Sequence, residues 1–376
     1  MQENPFIVKG YKSPAYFCDR DDETPAIILN IQNGADTTLV SPRKYGKTGL
    51  ILHTFAEMKR RRLNYETLYV DIFATLTLED FTKTLAEAIL IKFPEKTSIG
   101  KGFVTFLKTL RPTLTYDSIS GSPHLQFNYG TVSEKEWTLK SLLEFLNTRE
   151  KPVVLAFDEF QQITEYPEKT AEALLRTYTQ SMQNIRFIFC GSKKKLMAEM
   201  FTSAGRPFFS STKLLTLGKI DSDKYAEFIR GHFSEVGRTI DAGAVDWILE
   251  WTRRHTFYTQ TLCNEVFAVG GNVTIDVVKN AANRILERES DYFLQYRELL
   301  TRQQWLLLVA VAKEGSVSKL TSTVFLKKYN IGSSTNARRA AESLQEKELL
   351  LTLESKEKQE YQVYDVFLSR WLEREF

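Results

Sequence analysis

The first half of the chain alternates short apolar runs with longer segments in which apolar residues recur every three or four positions. Runs that are apolar on both faces indicate strands buried in a parallel sheet, and the longer segments indicate helices packed on that sheet. Five strands of an α/β core are predicted at residues 37–40, 68–73, 153–157, 186–190 and 214–217. Helices are predicted at residues 48–58, 78–92, 102–110, 134–147, 168–182 and 193–200.

Residues 112–131 interrupt this alternation with strand-forming residues on both sides of the run Ser120-Gly121-Ser122-Pro123. Glycine, serine and proline favour turns. The segment therefore predicts a hairpin inserted into the core, with residues 114–116 against residues 125–127. Its composition indicates no chemical role.

The second half of the chain is mainly helical and changes character after residue 292. Helices are predicted at residues 223–233, 242–253, 257–267 and 275–290, with Asp221 or Ser222 capping the first. Beyond them, the pattern predicts helices at 302–313, 321–328 and 334–347, strands at 349–353 and 361–364, and a closing helix at 365–374. This is the order of a winged helix-turn-helix. We predict three domains: a core at 1–217, a helical lid at 218–292 and a winged-helix domain at 293–376.

A phosphate-binding loop is predicted between the first strand and the first helix. Backbone N–H groups at a helix N-terminus are unpaired and carry partial positive charge, so they attract phosphate oxygens. Gly46 would let the backbone approach a phosphate, Lys47 would reach the β- and γ-phosphates, and the Thr48 hydroxyl would ligate Mg²⁺. The predicted nucleotide-binding residues here are Pro42, Arg43, Lys44, Tyr45, Gly46, Lys47, Thr48 and Gly49.

Ser41 stands where such loops usually carry their first glycine. Serine is compatible with this position only if its backbone avoids positive φ, and Pro42 biases the preceding residue toward an extended conformation. Gly-Lys-Thr alone can occur by chance. The preceding strand, the following helix and an acidic strand further along the chain supply the context that supports a phosphate loop.

The apolar run at 153–157 ends in two carboxylates, Asp158 and Glu159. Ligands of open α/β sheets bind at the carboxyl ends of the strands. Asp158 is predicted to hold the Mg²⁺ shell through water, and Glu159 to orient and deprotonate an attacking water. With Lys47 they form the predicted catalytic set. The alternative is that one carboxylate merely caps the next helix.

Ser192 follows the strand at 186–190, whose polar end would face a γ-phosphate. It is therefore a candidate phosphate sensor. The alternative is an ordinary turn, in which Gly191 and Ser192 lead into the next helix.

With these motifs, the chain resembles the archaeal-type ATPases, a clade of the signal-transduction ATPases with numerous domains within the AAA+-related P-loop class. The family loop often reads G-P-R-R-x-G-K-T, where this chain has S-P-R-K-Y-G-K-T. The resemblance implies a P-loop ATPase core over residues 1–217 and ATP as the nucleotide. The chain also lacks the Asn-Lys-x-Asp motif that reads guanine.

Members of this family carry an aromatic-Gly-Arg-Glu segment ahead of the first strand. The matching segment here begins at Phe17 and continues through Arg20, which implies that both residues lie near the nucleotide. A Gly-His-Pro-Tyr-like element of the family's lid corresponds to the segment around His255, which lacks the glycine and the proline. His255 is the candidate phosphate sensor of the lid, or an ordinary helix-terminal histidine. Arg206 is a candidate trans-acting arginine finger, or a solvated loop arginine.

Composition limits the class of protein. A chain of 376 residues suits two or three domains, and 50 basic against 47 acidic residues leave a net charge of only +3. This balance by itself indicates neither a nucleic-acid nor a membrane partner. Three cysteines without a C-x-x-C spacing suggest neither a zinc site nor disulfides. The N-terminal residues lack the pattern of a signal peptide, and we expect a cytoplasmic protein.

The predicted winged-helix domain has an ambiguous surface. Its third helix carries Asn336, Arg338 and Arg339, and its predicted wing carries Lys356 and Lys358. Residues 297–376 nevertheless hold 13 basic and 11 acidic residues, a net charge of +2. The acidic residues near the third helix are Glu342, Glu346 and Glu348. The domain could therefore bind DNA, bind a protein or pack against the core.

Three functions remain open from the sequence. One is an ATP-hydrolysing switch, in which ATP and Mg²⁺ hold the lid and the winged domain against the core until hydrolysis releases them. The second is a DNA-binding regulator that uses nucleotide only as a structural or regulatory ligand. The third is a scaffold with a decayed loop, which only Ser41 directly supports. The expected ligands are ATP, ADP and Mg²⁺; an oligomer is compatible with each function.

Overall fold

The computed structural model describes residues 3–110, 112–117, 119, 121–127, 129, 131–354 and 359–376. They form two compact units. Lys9–Ile220 make up the first unit, and Asp221–Phe376 with residues 3–8 make up the second.

The helices and strands follow the alternation expected from the sequence. The strands within the described residues are β1 (Thr37–Val40), β2 (Glu66–Asp71), β3 (Thr113–Tyr116), β4 (Pro123–Gln126), β5 (Val153–Asp158), β6 (Ile185–Gly191), β7 (Lys213–Thr216), β8 (Leu350–Glu354) and β9 (Gln359–Val363). The helices of the first unit are α1 (Glu23–Gln32), α2 (Lys47–Arg60), α3 (Leu78–Lys92), α4 (Ser98–Leu110), α5 (Val132–Asn147), α6 (Ala171–Ser181) and α7 (Lys194–Thr202). Those of the second unit are α8 (Ser222–Ser234), α9 (Ala242–Trp251), α10 (Thr256–Val269), α11 (Ile275–Leu299), α12 (Arg302–Glu314), α13 (Thr323–Lys328), α14 (Ser334–Glu346) and α15 (Val366–Glu375). Two short 3-10 helices span Pro14–Tyr16 and Phe160–Glu165.

A five-stranded parallel sheet forms the centre of the first unit, in the order β2-β5-β6-β1-β7. Its register pairs Asp71 with Asp158, and Val40 with both Gly191 and Thr216. The carboxyl ends of these strands therefore meet at one edge, where open α/β sheets bind ligands. The predicted α/β class and its five strands are confirmed.

The sheet is covered on both faces because successive strand residues point to opposite sides. Leu155 and Phe157 of β5 join an apolar cluster with α3 and α5. Val154 and Ala156 of the same strand join a second cluster with α1 and α2. Burial on both faces explains why β5 is apolar at every position before its terminal aspartate.

The patterns of the sequence do not predict helix α1. Its run Ala26-Ile27-Ile28-Leu29 contains adjacent β-branched residues, which have modest helix propensity. Ile27 and Ile28 are buried in the cluster that also contains Leu39 of β1 and Leu50 of α2. Tertiary packing therefore decides the conformation of this segment.

The predicted hairpin insertion is present. Strands β3 and β4 pair in antiparallel fashion, with Leu114 opposite Leu125. The second strand begins earlier than the predicted residues 125–127, and the backbone N–H of Leu125 donates to Glu87 of α3 at 2.9 Å. This bond joins the hairpin to the core. Ser120, part of the predicted turn, lies outside the described residues.

The second unit contains the predicted winged helix-turn-helix. Helices α12, α13 and α14 precede the β8–β9 hairpin and α15, and an antiparallel bridge between Val317 and Tyr361 extends the hairpin. Asp221 caps α8, as expected, by accepting from two backbone N–H groups. Lys356 and Lys358 of the predicted wing lie outside the described residues.

Two features of the second unit differ from the predicted domain limits. Residues 3–8 belong to this unit, in which Asn264 Nδ2 donates to the Phe6 carbonyl at 2.7 Å and Phe6 is buried. Helix α11 continues past residue 292 to Leu299, and the Phe293 ring packs against Trp371 of α15. The predicted limit at 292 therefore falls inside one continuous helix.

No helix of the described residues is long and apolar enough to cross a membrane. The three cysteines are buried and form no disulfide within the described residues, and burial raises the pKa of Cys190 well above its ordinary value. Cys190 packs as a small apolar residue of β6, as its place in the sequence predicts.

Asp36 ties three strands of the sheet together just before β1. Its carboxylate accepts the backbone N–H of Phe187 at 2.8 Å, and its carbonyl accepts that of Lys213 at 2.8 Å. Burial raises the pKa of Asp36 to about 6, although the N–H of Phe187 and the nearby Arg186 act in the opposite direction. The folded protein therefore holds the proton of Asp36 more tightly than the unfolded chain.

We expect Asp36 to make stability depend on pH. A raised carboxyl pKa favours folding below the unfolded value of 3.8, and this contribution is lost as the pH rises through about 6. Relative to Asp36→Asn, the wild-type free energy of unfolding should fall across this range by roughly 3 kcal/mol in total. Urea unfolding of both proteins at several pH values measures the difference. Parallel pH profiles would contradict the assignment.

Candidate functional site

The segment at residues 41–46 turns the chain from the buried strand β1 into α2. Lys44 and Gly46 adopt the left-handed conformation, with φ of 63° and 90°, whereas Ser41 is not among the residues with positive φ. The backbone condition predicted for Ser41 is met. Left-handed residues in such turns direct neighbouring N–H groups into one concavity, which is a geometry that binds anions.

The Lys47 ammonium group is held by the loop itself. Lys47 is buried, and its Nζ donates to the carbonyls of Ser41 at 3.1 Å and Pro42 at 3.0 Å. The Ser41 hydroxyl oxygen lies 3.3 Å from the same Nζ and is a third acceptor. Serine in place of the usual glycine therefore adds an acceptor for Lys47.

Asp158 connects the end of β5 to this loop. The Thr48 hydroxyl donates to Asp158 Oδ2 at 2.5 Å, and the Tyr69 hydroxyl donates to the same oxygen at 2.8 Å. The other oxygen, Oδ1, accepts the backbone N–H of Glu159 at 2.9 Å. Asp158 is 4% exposed, so these three donors compensate for the loss of water around a buried carboxylate.

Tyr69 is a residue of the site that the sequence patterns do not single out. It lies on β2 between the buried Leu68 and Val70, and it reads as one more aromatic strand residue. Register brings it to Asp158, since β2 and β5 are neighbours in the sheet. Burial and, next, the Asp158 carboxylate raise the pKa of Tyr69 far above its ordinary value, so it stays a hydrogen-bond donor.

Glu159 lies within a second group of polar side chains. It adopts a left-handed backbone conformation, with φ of 55°. Its Oε2 accepts a hydrogen bond from the Ser192 hydroxyl at 2.7 Å and another from Gln161 Nε2. Arg43 Nε of the loop lies 3.3 Å from the Ser192 hydroxyl oxygen. Ser192 is thus buried in contact with both the loop and the acidic strand, and does more than form a turn.

Phe17 lies beside the start of α2. A Cβ atom on Gly49 would sit 3.4 Å from the Phe17 ring, so this glycine leaves room for the aromatic side chain. On α2, His53 stacks on Phe17 with ring centroids 4.1 Å apart and planes inclined by 13°. Phe17 is therefore in contact with the helix that follows the loop, and its contact with nucleotide stays a prediction.

Arg20 has a structural connection within the first unit. Its guanidinium is buried and donates to Glu23 at 2.7 Å and to the Gly218 carbonyl at 2.9 Å. These contacts tie the N-terminal segment to the residues that follow β7. The contact of Arg20 with nucleotide stays a prediction.

Two further candidates, His255 and Arg206, have contacts of their own. His255 is the N-cap residue of α10 in the second unit, is buried, and packs edge-on against Tyr258 at 4.6 Å. Its role as a phosphate sensor stays a prediction. Arg206 is not a freely solvated loop residue, because its Nη2 pairs with Glu172 Oε2 of α6 at 2.8 Å.

The residues at this edge suit a divalent cation. Thr48 and Asp158 already place a hydroxyl and a carboxylate oxygen 2.5 Å apart, and oxygen ligands are those that Mg²⁺ prefers. Burial raises the pKa of the nearby Asp71, and the negative charges of Asp158 and Glu159 raise it further. Three neighbouring carboxylates repel one another, and a bound cation would reduce that repulsion.

Comparison with known families agrees with the fold. Residues 17–252 match the family described as an ATPase domain predominantly from Archaea. Residues 291–374 match the family described as a probable winged helix domain. These matches confirm the predicted resemblance to archaeal-type ATPases at the level of this domain family. A search of the curated proteins gives no match.

Solved structures with the same fold cover almost the whole chain. A Walker-type ATPase of Pyrococcus abyssi is 17% identical and superposes with a TM-score of 0.67, covering 98% of this chain and 99% of that one. The ORC2 protein of Aeropyrum pernix, in ADPNP and ADP complexes, is 15% identical with a TM-score of 0.59 and coverages of 98% and 96%. The ORC1 protein of Aeropyrum pernix in complex with DNA is 12% identical with a TM-score of 0.51 and coverages of 96% and 94%. At these identities the likeness concerns the fold alone.

We expect Tyr69→Phe to destabilise the protein. The change keeps the ring but removes one of the donors to a buried carboxylate, which costs about 1–2 kcal/mol. Urea unfolding at pH 7 measures the loss. Tyr65→Phe is the matched control, since that hydroxyl does not donate to Asp158. Equal stability of the two variants would show that the Tyr69 hydroxyl contributes nothing.

Proposed function

Since the chain belongs to the family of ATPase domains found predominantly in Archaea, we propose that it binds ATP with Mg²⁺ and hydrolyses it at the edge formed by β1, β5 and β6. The observation that carries this proposal is the hydrogen bond between Thr48 of the loop and Asp158 of the acidic strand. It joins two motifs that lie 110 positions apart in the sequence. A phosphate loop and a carboxylate brought together in this way are the two parts that nucleotide-hydrolysing sites of this class need.

We propose that the loop binds the phosphates of ATP. The backbone N–H groups of residues 42–49 would face the phosphate oxygens, and Lys47 would exchange the carbonyls of Ser41 and Pro42 for the β- and γ-phosphates. An ammonium group held on two carbonyls keeps its charge near the loop in the absence of nucleotide. Phe17, which lies beside Gly49, is the residue that we propose contacts the nucleoside.

The Mg²⁺ ion would be held by Thr48 directly and by Asp158 through water. When bound, Mg²⁺ neutralises charge on the β- and γ-phosphates and so lowers the barrier to phosphoryl transfer. Tyr69 keeps the Asp158 carboxylate in place through Oδ2. Because Tyr69 remains protonated, it supplies no competing negative charge at the metal.

Glu159 is proposed as the base that orients and deprotonates the attacking water. It directly follows Asp158, and its left-handed backbone turns it away from the path of the strand. Ser192 contacts both Glu159 and Arg43 of the loop, so it is placed to register what the loop binds. Arg43 and Ser192 therefore connect the loop to Glu159, the proposed base.

The cellular role that fits this arrangement is a nucleotide-driven switch. ATP binding would set the arrangement of the first unit against the second, and hydrolysis would reset it. His255 of the second unit is the proposed contact through which that unit senses phosphate. We also propose that the chain belongs to the wider class of signal-transduction ATPases. Slow turnover of ATP would suit such a switch.

Two variants test the proposal on the full chain. We expect Lys47→Ala to abolish ATP binding measured by calorimetry with Mg²⁺, because the phosphates lose their cation. We expect Glu159→Gln to bind ATP like the wild type but to hydrolyse it about 100-fold or more slowly, since only the base is removed. Unchanged turnover in Glu159→Gln would remove it as the base. Unchanged binding in Lys47→Ala would reject the phosphate site.

A second candidate function is DNA binding by the winged-helix domain. On α14, Ala337 and Ala340 are buried against the domain, whereas Asn336, Arg338 and Arg339 are exposed on its outer side. Such residue types contact phosphates and base edges. The ORC1 structure with the same fold is a complex with DNA. Exposed Glu342 and Glu346 on the same helix weaken an electrostatic attraction to DNA.

A double substitution separates the two candidates. If α14 binds DNA, Arg338→Ala with Arg339→Ala should lower the affinity for duplex DNA at low salt roughly tenfold or more and reduce its salt dependence, since two phosphate contacts are lost. Fluorescence anisotropy measures both quantities. The reference variant is Arg302→Ala, a basic residue of α12 in the same domain. No DNA binding by the wild type at low salt would leave the ATP-driven switch as the function.

A further inference from the structure

We propose that Gln161 is a positioning residue for Glu159. This inference rests on the proposed function of Glu159 as the base. Gln161 lies in the 3-10 helix Phe160–Glu165, directly after the acidic strand. Its Nε2 donates to Glu159 Oε2. Gln161 is 3% exposed, so its amide is largely shielded from water and has few alternative partners, although Glu159 is only half-buried.

Gln161 and Ser192 hold the same oxygen of Glu159. The Ser192 hydroxyl donates to Oε2 at 2.7 Å from the end of β6, and the Gln161 amide donates from the 3-10 helix that follows β5. Two donors from different segments fix the orientation of the carboxylate. Oε1 is the oxygen that neither donor contacts, and we assign it to the attacking water.

Gly191 makes room for this amide. A Cβ atom at position 191 would lie 2.2 Å from Gln161 Oε1 and 2.6 Å from Met197 Cγ and Sδ, distances at which atoms overlap. The φ of Gly191 is not positive, so its need for glycine is one of space and not of backbone conformation. The glycine that ends β6 therefore serves the position of Gln161.

The buried amide oxygen of Gln161 indicates that packing alone does not explain this residue. Gln161 Oε1 is buried and has no hydrogen-bond partner among the described residues. Burying an amide oxygen without a partner is unfavourable, whereas methionine or leucine would fill a similar volume without that penalty. The polar end of the side chain is explained by its bond to Glu159.

Strain in the backbone makes such positioning necessary. Glu159 has a φ of 55°, in the left-handed region that residues other than glycine rarely adopt. This conformation lifts Glu159 off the strand, and its side chain is only half-buried. Without donors on Oε2, the carboxylate would sample several rotamers, and the fraction directed at the attacking water would fall.

Steady-state hydrolysis of ATP by Gln161→Met tests the inference. Methionine keeps the volume but removes the donor, so we expect kcat to fall about tenfold or more while KM and the calorimetric Kd for ATP stay within twofold. The matched control is Gln162→Met in the same 3-10 helix, whose Nε2 donates to the Thr75 carbonyl at 3.0 Å. It should keep wild-type kcat. Wild-type kcat in Gln161→Met would overturn the proposal.

A double-mutant cycle separates positioning from a general loss of structure. If Gln161 acts through Glu159, adding Gln161→Met to Glu159→Gln should not lower the remaining rate further. Independent, multiplying losses would overturn the proposal.

Gly191→Ala is a second route to the same effect, since its methyl group displaces the amide, and it should lower kcat without changing the Kd for ATP. If both single variants, Gly191→Ala and Gln161→Met, lost ATP binding, Gln161 would instead have a structural role.

The same measurements distinguish a failed inference from a failed function. Wild-type turnover in Glu159→Gln would reject the proposed base and Gln161 with it. A large loss in Glu159→Gln beside wild-type turnover in Gln161→Met would keep the base and reject only the positioning residue.

Discussion

The hydrogen bonds to the buried carboxylate of Asp158 hold the candidate site together. Thr48 reaches it from the loop, Tyr69 from the neighbouring strand, and the Glu159 backbone from the residue that follows. Asp158 is 4% exposed, and these donors replace the hydrogen bonds to water that its buried oxygens lose. Each donor belongs to a different segment, so the carboxylate fixes the position of the loop against the sheet. The proposed Mg²⁺ ligands, the proposed base and the loop all depend on that position.

Around this carboxylate the backbone is locally strained and several negative charges lie close together. Lys44 and Glu159 adopt positive φ without being glycine, which costs of order 1 kcal/mol or more each. Asp71 lies beside Asp158 and Glu159, and burial followed by these like charges raises its pKa. The apolar layers on both faces of the sheet stabilise the unit enough to hold these features. Strain and repulsion at one edge are what a site for a cation and phosphates would relieve on binding.

Local patterns predicted much of the architecture because they report burial directly. The strand β5 is apolar at each position up to Asp158, and only burial on both faces explains such a run. The three helices, hairpin and closing helix of the winged domain also follow from periodicity and turn residues. Helix α1 does not, because Ile27 and Ile28 favour a helix only once they are packed. The end of α11 was not predictable either, since Phe293 is held by Trp371 from far along the chain.

Local motifs were enough to nominate the residues that we propose for the chemistry. Lys47, Thr48, Asp158 and Glu159 stand in motifs whose spacing and flanking elements are local, so they can be read without a structure. Which other side chains lie beside these candidates became known only from the folded structure. Tyr69 meets Asp158 through the register of two strands, and Gln161 reaches Glu159 in the space left by Gly191. Such contacts depend on the packing of segments distant in the chain, and no local pattern records them.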